Sequence, residues 1–204
     1  GVDPSFAIGG DLNESGSNAH AGKGDVFVAE ADESDRSFLL LAPFGGIVTN
    51  VEADHLDNYG DLAAVEAAFD RFLRTVDPDG FVVVCADDPG SARLRTVPTP
   101  ARLRTYGRSA DADLRLDDLR VEGDATSYTA FLDGTELGRV RILVPGEHMA
   151  LNSAAALLAG LELGLPADGL IEGLGRFGGV HRRFELKGVV DGVRVYDDYA
   201  HHPT

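Results

Sequence analysis

Hydrophobic and polar positions fall into two textures along the chain. Residues 25–31 (DVFVAEA) and 46–50 (GIVTN) are short, β-branched runs that end in polar residues. Such runs suit strands buried on both faces, as in a parallel sheet. Residues 62–76 place Ala64, Ala67, Ala68, Phe72 and Val76 at helical spacing, with Asp61 as the cap and Asp77-Pro78-Asp79-Gly80 as stop and turn. Residues 81–86 (FVVVCA) read as the clearest buried strand. Strand, helix and strand in that order predict βαβ crossovers and an α/β fold.

The texture changes near Leu103. Residues 103–107, 113–121, 127–132 and 137–144 read as short alternating strands, with Gly123-Asp124 and Asp133-Gly134 as turns. They are expected to form a small antiparallel sheet, about residues 103–144, appended to the main one. An Ala/Leu-rich helix is predicted over 149–163, opened by Pro145-Gly146-Glu147-His148 and closed at Gly164, and a second over 166–177. Residues 184–190 and 193–199 make a last strand pair around Asp191-Gly192.

Composition narrows the partners. The 204 residues are 44% hydrophobic, enough for one cored domain or at most two. Eighteen Lys+Arg against 34 Asp+Glu leave a net charge of −16, which argues against nucleic acid or an anionic membrane as partner. No apolar run reaches the roughly 18 residues a membrane helix needs. The single cysteine, Cys85, forms no internal disulfide and suits a reducing, cytoplasmic setting. The chain opens on Gly1 and stops at Thr204, just past a strand-like run, so both ends are expected to be cuts within a longer protein.

The densest candidate chemistry is Glu30-Ala31-Asp32-Glu33-Ser34-Asp35, at the carboxyl end of a predicted strand, where ligands of open α/β sheets bind. Carboxylates there suit Mg²⁺ shared with substrate phosphates; a solvated acidic loop is the plainer alternative. A second strand end, residues 49–57 (TNVEADHLD), adds His55 between Asp54 and Asp57. Two adjacent strand ends of this kind can converge on one ion, against the alternative of a surface histidine. Asn152, in the first turns of a helix, offers the donors and acceptors a base edge or ribose requires, or is an ordinary helix-start residue. Arg182 and Arg183 present planar forks suited to phosphate, or pair with nearby carboxylates. Asp198, Tyr199 and His201 follow the last strand, where a fraying end is the alternative. Gly9-Gly10 and Gly22-Lys23-Gly24 lack the spacing of a glycine-rich phosphate loop. The residues alone support a metal- and phosphate-binding α/β domain.

Six stretches together resemble the Mur ligase family: GSNAHAG (16–22), EADESDRSFL (30–39), IVTNVEADHLDNYG (47–60), VPGEHMALNSAAAL (144–157), HRRFELKG (181–188) and VYDDYAHHPT (195–204). The resemblance implies a mainly parallel, Rossmann-like sheet of P-loop ATPase type flanked by helices. Residues 1–194 would be the central ATP-binding domain of a three-domain ligase, cut just after its phosphate loop. Residues 195–204 would begin the C-terminal amino-acid-binding domain.

By the same resemblance, Glu30 and His55 hold Mg²⁺, Asn18 lies near the ATP phosphates, and Asn152 contacts adenine. Arg183 sits near the terminal phosphate, Asp198 on the ribose and Asn50 near the muramoyl lactyl group. Tyr199 and His201 help place the amino acid, and Arg183 and His201 act in catalysis. Met149 departs from the asparagine common at its position. The implied reaction joins L-alanine to UDP-N-acetylmuramic acid through an acyl phosphate, for peptidoglycan synthesis. A sister ligase adding a recycled tripeptide, or a non-catalytic nucleotide-binding module, are the alternatives. Without the phosphate-loop lysine, this chain by itself is expected to have no ligase activity.

Overall fold

The computed structural model describes residues 2–13 and 15–200. Near the N-terminus β1 (Ser5–Ala7), β2 (Ala19–His20) and β3 (Phe27–Ala29) form a small sheet of order β2-β1-β3, with β3 parallel to β1 and β2 antiparallel to it. The main sheet begins with β4 (Gly45–Val48). After it come α1 (Leu56–Tyr59), α2 (Leu62–Leu73), β5 (Phe81–Cys85), α3 (Pro89–Arg93), β6 (Arg102–Gly107), β7 (Leu114–Glu122), β8 (Ala125–Leu132) and β9 (Thr135–Ile142). Then follow α4 (Glu147–Glu162), α5 (Ala167–Arg176), β10 (Glu185–Val190) and β11 (Val193–Asp197). The six-stranded sheet runs β4-β5-β6-β7-β8-β9, parallel from β4 through β7 and antiparallel from β7 to β9.

β5 shows why the sheet is covered on both sides. Successive side chains of a strand point to opposite faces. Val82 and Val84 enter a core with Val65, Ala68 and Phe72 of α2, while Phe81, Val83 and Cys85 enter another with Ala150, Ala154, Leu157 and Leu158 of α4. The Asp61 carboxylate accepts from the Ala64 amide at 2.8 Å, which fixes the start of α2 as the spacing predicts. Alanines let α4 lie close to the sheet. Two buried polar groups there pair with each other, the Tyr128 hydroxyl 2.9 Å from Ser153 Oγ, which also donates to the Ala150 carbonyl.

The α/β class, the helices and the glycine turns stand as expected, and three readings change. β3 is not a doubly buried strand of the main sheet; its three residues are all exposed and pair within the small N-terminal sheet. β4 buries Gly46 and Val48 but leaves Ile47 46% exposed, so one face alone is covered. β6, expected as the first antiparallel strand, pairs in parallel with β5. Its crossover is α3 and a 3-10 turn (Leu94–Thr96), too short to show a helical period. The antiparallel part therefore begins at β7 and continues the main sheet.

The β10–β11 hairpin turns at Asp191 (φ 49°) and Gly192 (φ 81°), the left-handed pair of a tight two-residue turn. It is tied down at two points. Arg194 and Tyr196 both donate to the Asp124 carboxylate at 2.9 Å. Ahead of the hairpin, Val180 bridges Leu12, and the His181 amide donates to the Asp11 carbonyl at 2.9 Å.

Candidate functional site

The loop leaving β3 spends two of its four carboxylates on its own shape. Asp32 accepts from the Ser34 amide and Asp35 from the Ser37 amide, both at 2.8 Å. Hydroxyl and amide of Ser34, and likewise of Ser37, hold these acids below the usual carboxylate range. Glu30 reaches back across the small sheet, where its Oε2 accepts from the Gly9 amide at 2.7 Å. Beside it, the Ile8 amide donates to the Asn18 carbonyl at 2.9 Å, so Asn18 and Glu30 flank the same two-residue segment. Glu33 points elsewhere: its Oε1 lies 3.5 Å from His55 Nε2.

His55 starts α1 in the left-handed region, at φ 52° and ψ 37°. Its amide donates to Asp54 Oδ1 at 2.7 Å, and its ring, 34% exposed, remains within reach of a ligand. Below it the two loops are laced. Tyr59 Oη donates to the Glu33 carbonyl at 2.6 Å, Asn58 Nδ2 to the Ser34 carbonyl at 2.7 Å, and Arg36 Nη2 to the Asn58 carbonyl at 3.0 Å. The Arg36 guanidinium lies 4.7 Å above the Tyr59 ring. Tyr59 is buried, and that burial raises its phenol.

The other end of the second loop is clamped as well. Asp88 Oδ2 accepts from the Val51 amide at 3.1 Å and from the Ser91 amide at 2.6 Å, capping α3 with the same oxygen. Gly90 passes so close that an added Cβ would lie 1.9 Å from the Val51 carbonyl oxygen. Asn50, just before the clamp, accepts from Thr49 Oγ1 at 2.9 Å and faces Glu52 Oε1 at 3.4 Å.

Glu30 and His55 therefore do not sit on hydrogen-bonded neighbouring strands, as their placement at adjacent strand ends supposes. β3 and β4 belong to different sheets, and the loops beyond them meet. Among the described residues no three His, Cys, Asp or Glu side chains are grouped to cage a metal ion. The Glu30 carboxylate fits Mg²⁺ nonetheless, since that ion takes one or two carboxylates and leaves its other positions to phosphates and water; His55 adds one ring nitrogen. Glu30 is exposed, and the His55 ring is open to solvent.

Arg183 and the pair Asp198-Tyr199 flank the open end of the hairpin, where Glu185 pairs with Asp197. The Tyr199 amide donates to the Arg182 carbonyl at 2.8 Å, and the Arg182 guanidinium lies 4.9 Å above the Tyr199 ring. Contacts of residues 178–181 with 11–13 tie this group to the sheet that carries Asn18 and Glu30. Asn152 stands exposed on α4. His201 lies outside the described residues. Asp88, Tyr59 and Arg36 carry no signal of a role in the sequence pattern, save that Asp88 stands just before a proline, Pro89.

The profile of the Mur ligase middle domain matches residues 11–160. A UDP-N-acetylmuramate–L-alanine ligase of Salinispora arenicola is 58% identical over 206 residues, which cover all of this chain and 40% of the relative. The protein of that name from Saccharopolyspora erythraea is 58% identical over 207 residues, covering 42% of it. Among solved structures, the UDP-N-acetylmuramate–alanine ligase of Thermotoga maritima superposes with a TM-score of 0.83 at 30% identity, covering 99% of this chain and 45% of that one. A UDP-N-acetylmuramate:L-alanyl-γ-D-glutamyl-meso-diaminopimelate ligase from Neisseria meningitides gives 0.77 at 26% identity, covering 89% and 60%. The chain thus spans about two fifths of the length of the curated relatives it matches.

Proposed function

Since the chain belongs to the Mur ligase family, matching its middle domain, we propose that it is the ATP-binding part of a ligase joining L-alanine to UDP-N-acetylmuramic acid. In this reading residues 1–194 make up that part and residues 195–204 begin the amino-acid-binding one, in a cytoplasmic enzyme of peptidoglycan synthesis. The observation that carries the reading is the meeting of the two acidic loops at Glu33 and His55, 3.5 Å apart.

The chemistry has two steps. A lactyl carboxylate oxygen attacks the γ-phosphorus of ATP, and ADP leaves with the electrons of the broken P–O bond. The alanine amine then attacks the acyl carbon, loses a proton, and phosphate leaves to give the amide. The first step brings two anions together in a chain of net charge −16, so cationic groups must offset the repulsion. Glu30 and His55 would hold Mg²⁺, which when bound supplies positive charge between the phosphates and the acceptor. Arg183 offers its guanidinium to the terminal phosphate, and Asn18 an amide to the phosphate chain. Asn152 would meet adenine, Asp198 the ribose and Asn50 the lactyl group. Tyr199 and His201 would orient the amine. The 58% identity to L-alanine ligases across the whole chain supports alanine over a tripeptide.

The test is phosphate release by the full-length protein with ATP and UDP-N-acetylmuramic acid, offered L-alanine or the tripeptide in turn. Release dependent on L-alanine is expected. Dependence on the tripeptide would replace the substrate, and release with neither would overturn the ligase reading. The 204-residue chain by itself is expected to release none.

A further inference from the structure

His55 has to be held at a fixed distance from the loop that carries Glu30, yet no strand pairing connects β3 to β4. What joins them is a short lattice between residues 33–36 and 58–59. We propose that Tyr59 and Arg36 are positioning residues, which set the His55 imidazole against the Glu30 loop and so determine how tightly a divalent cation is held with the nucleotide. The inference rests on the proposed roles of Glu30 and His55.

Three features carry it. Tyr59 is buried at 6% exposure, and its hydroxyl donates at 2.6 Å to the carbonyl of Glu33, the residue whose carboxylate faces His55. The same tyrosine ends the one-turn helix that His55 begins, and the Tyr59 amide donates to the His55 carbonyl at 3.0 Å. One buried residue therefore bonds to both loops. Arg36 covers the ring at 4.7 Å and holds the Asn58 carbonyl at 3.0 Å, which ties the opposite side of the same turn. His55 is kept in a left-handed conformation that a histidine adopts at a cost, so the surrounding contacts must hold it there. Neither Tyr59 nor Arg36 needs to touch nucleotide or metal. They act through His55, as outer partners of a metal-bound histidine do.

The experiment uses the full-length protein with Mn²⁺ as the probe, its free concentration read by electron paramagnetic resonance in the presence of ADP. Tyr59→Phe keeps the ring under Arg36 and removes only the hydroxyl; Arg36→Gln, at an exposed position, is the second variant should the first fold poorly. His55→Ala is the reference. Each positioning variant is expected to weaken Mn²⁺ about tenfold, the scale seen for partners that orient metal ligands. Arg36→Lys should recover part of the loss by keeping a cation on the ring. A purely structural role would lower Tm and leave Mn²⁺ affinity within twofold of wild type, which overturns the proposal while His55→Ala still weakens binding. If His55→Ala leaves Mn²⁺ affinity unchanged, the metal role of His55 falls, and the positioning role with it.

Discussion

His55 Nε2 stands 3.5 Å from Glu33 Oε1, although the two residues leave strands of different sheets. The contact is possible because each loop is shaped before it meets the other. Asp32 and Asp35 fold the first loop around Ser34 and Ser37. Asp88 anchors the second at Val51, and the left-handed turn at His55 aims the ring back toward Glu33. Two of the carboxylates that look like ligands in the sequence are in this sense scaffolding, whereas Glu30 reaches the Gly9 amide and Glu33 faces His55.

Asp88→Ala should destabilise the protein by about 1–3 kcal/mol, because it leaves the Val51 and Ser91 amides without their acceptor and removes the cap of α3. Asp88→Asn retains an acceptor oxygen and should lose less. Urea denaturation of the three proteins checks the order. Equal midpoints for wild type and Asp88→Ala would mean the clamp holds nothing.

The α4 face of the sheet separates packing from polar pairing. Leu157 is fully buried there, and Leu157→Ala should cost about 2–5 kcal/mol. Tyr128→Phe removes one hydroxyl, while Ser153 Oγ keeps the Ala150 carbonyl, so it should cost only about 1 kcal/mol. A larger loss for Tyr128→Phe than for Leu157→Ala, measured by the same unfolding method, would invert this account of the core.

Acid should loosen the hairpin through Glu185. The Arg182 amide, and then Lys187, hold its carboxyl down to about 2 from an ordinary 4.5. A folded-state value below the unfolded one means the contribution is present above about pH 4.5 and is lost as pH falls toward 2. Glu185→Gln should therefore be less stable than wild type near neutral pH, and the gap should close in acid. A gap that stays constant across that range would show the carboxylate charge to be irrelevant.

Much of this was legible in the sequence where a local pattern decides the outcome. Asp133-Gly134 and Asp191-Gly192 turn as their residue types require, with φ of 48° and 81° at the first and 49° and 81° at the second. Asp61 caps α2, and residues 81–85 are buried throughout. What stayed hidden depends on partners distant in the chain. β1 and β2 have three and two residues, too few for periodicity to register. The direction of β6 follows from the crossover before it, which alternation in Arg102–Gly107 does not encode. Tyr59 and Arg36 look like ordinary surface residues until the fold sets one loop over the other. Charge and strand-end position mark Glu30 and His55 as candidates, and Asn50 is marked by the family resemblance alone; the lattice holding their loops together leaves no such mark.

One divalent cation, held with nucleotide, is proposed to bridge Glu30 and His55. The most direct measurement is the anomalous scattering of Mn²⁺ in crystals of the full-length protein grown with ATP analogue and Mn²⁺. A peak is expected within coordinating distance of both a Glu30 carboxylate oxygen and a His55 ring nitrogen. A peak that contacts neither side chain, or one of them with the other turned away, would contradict it.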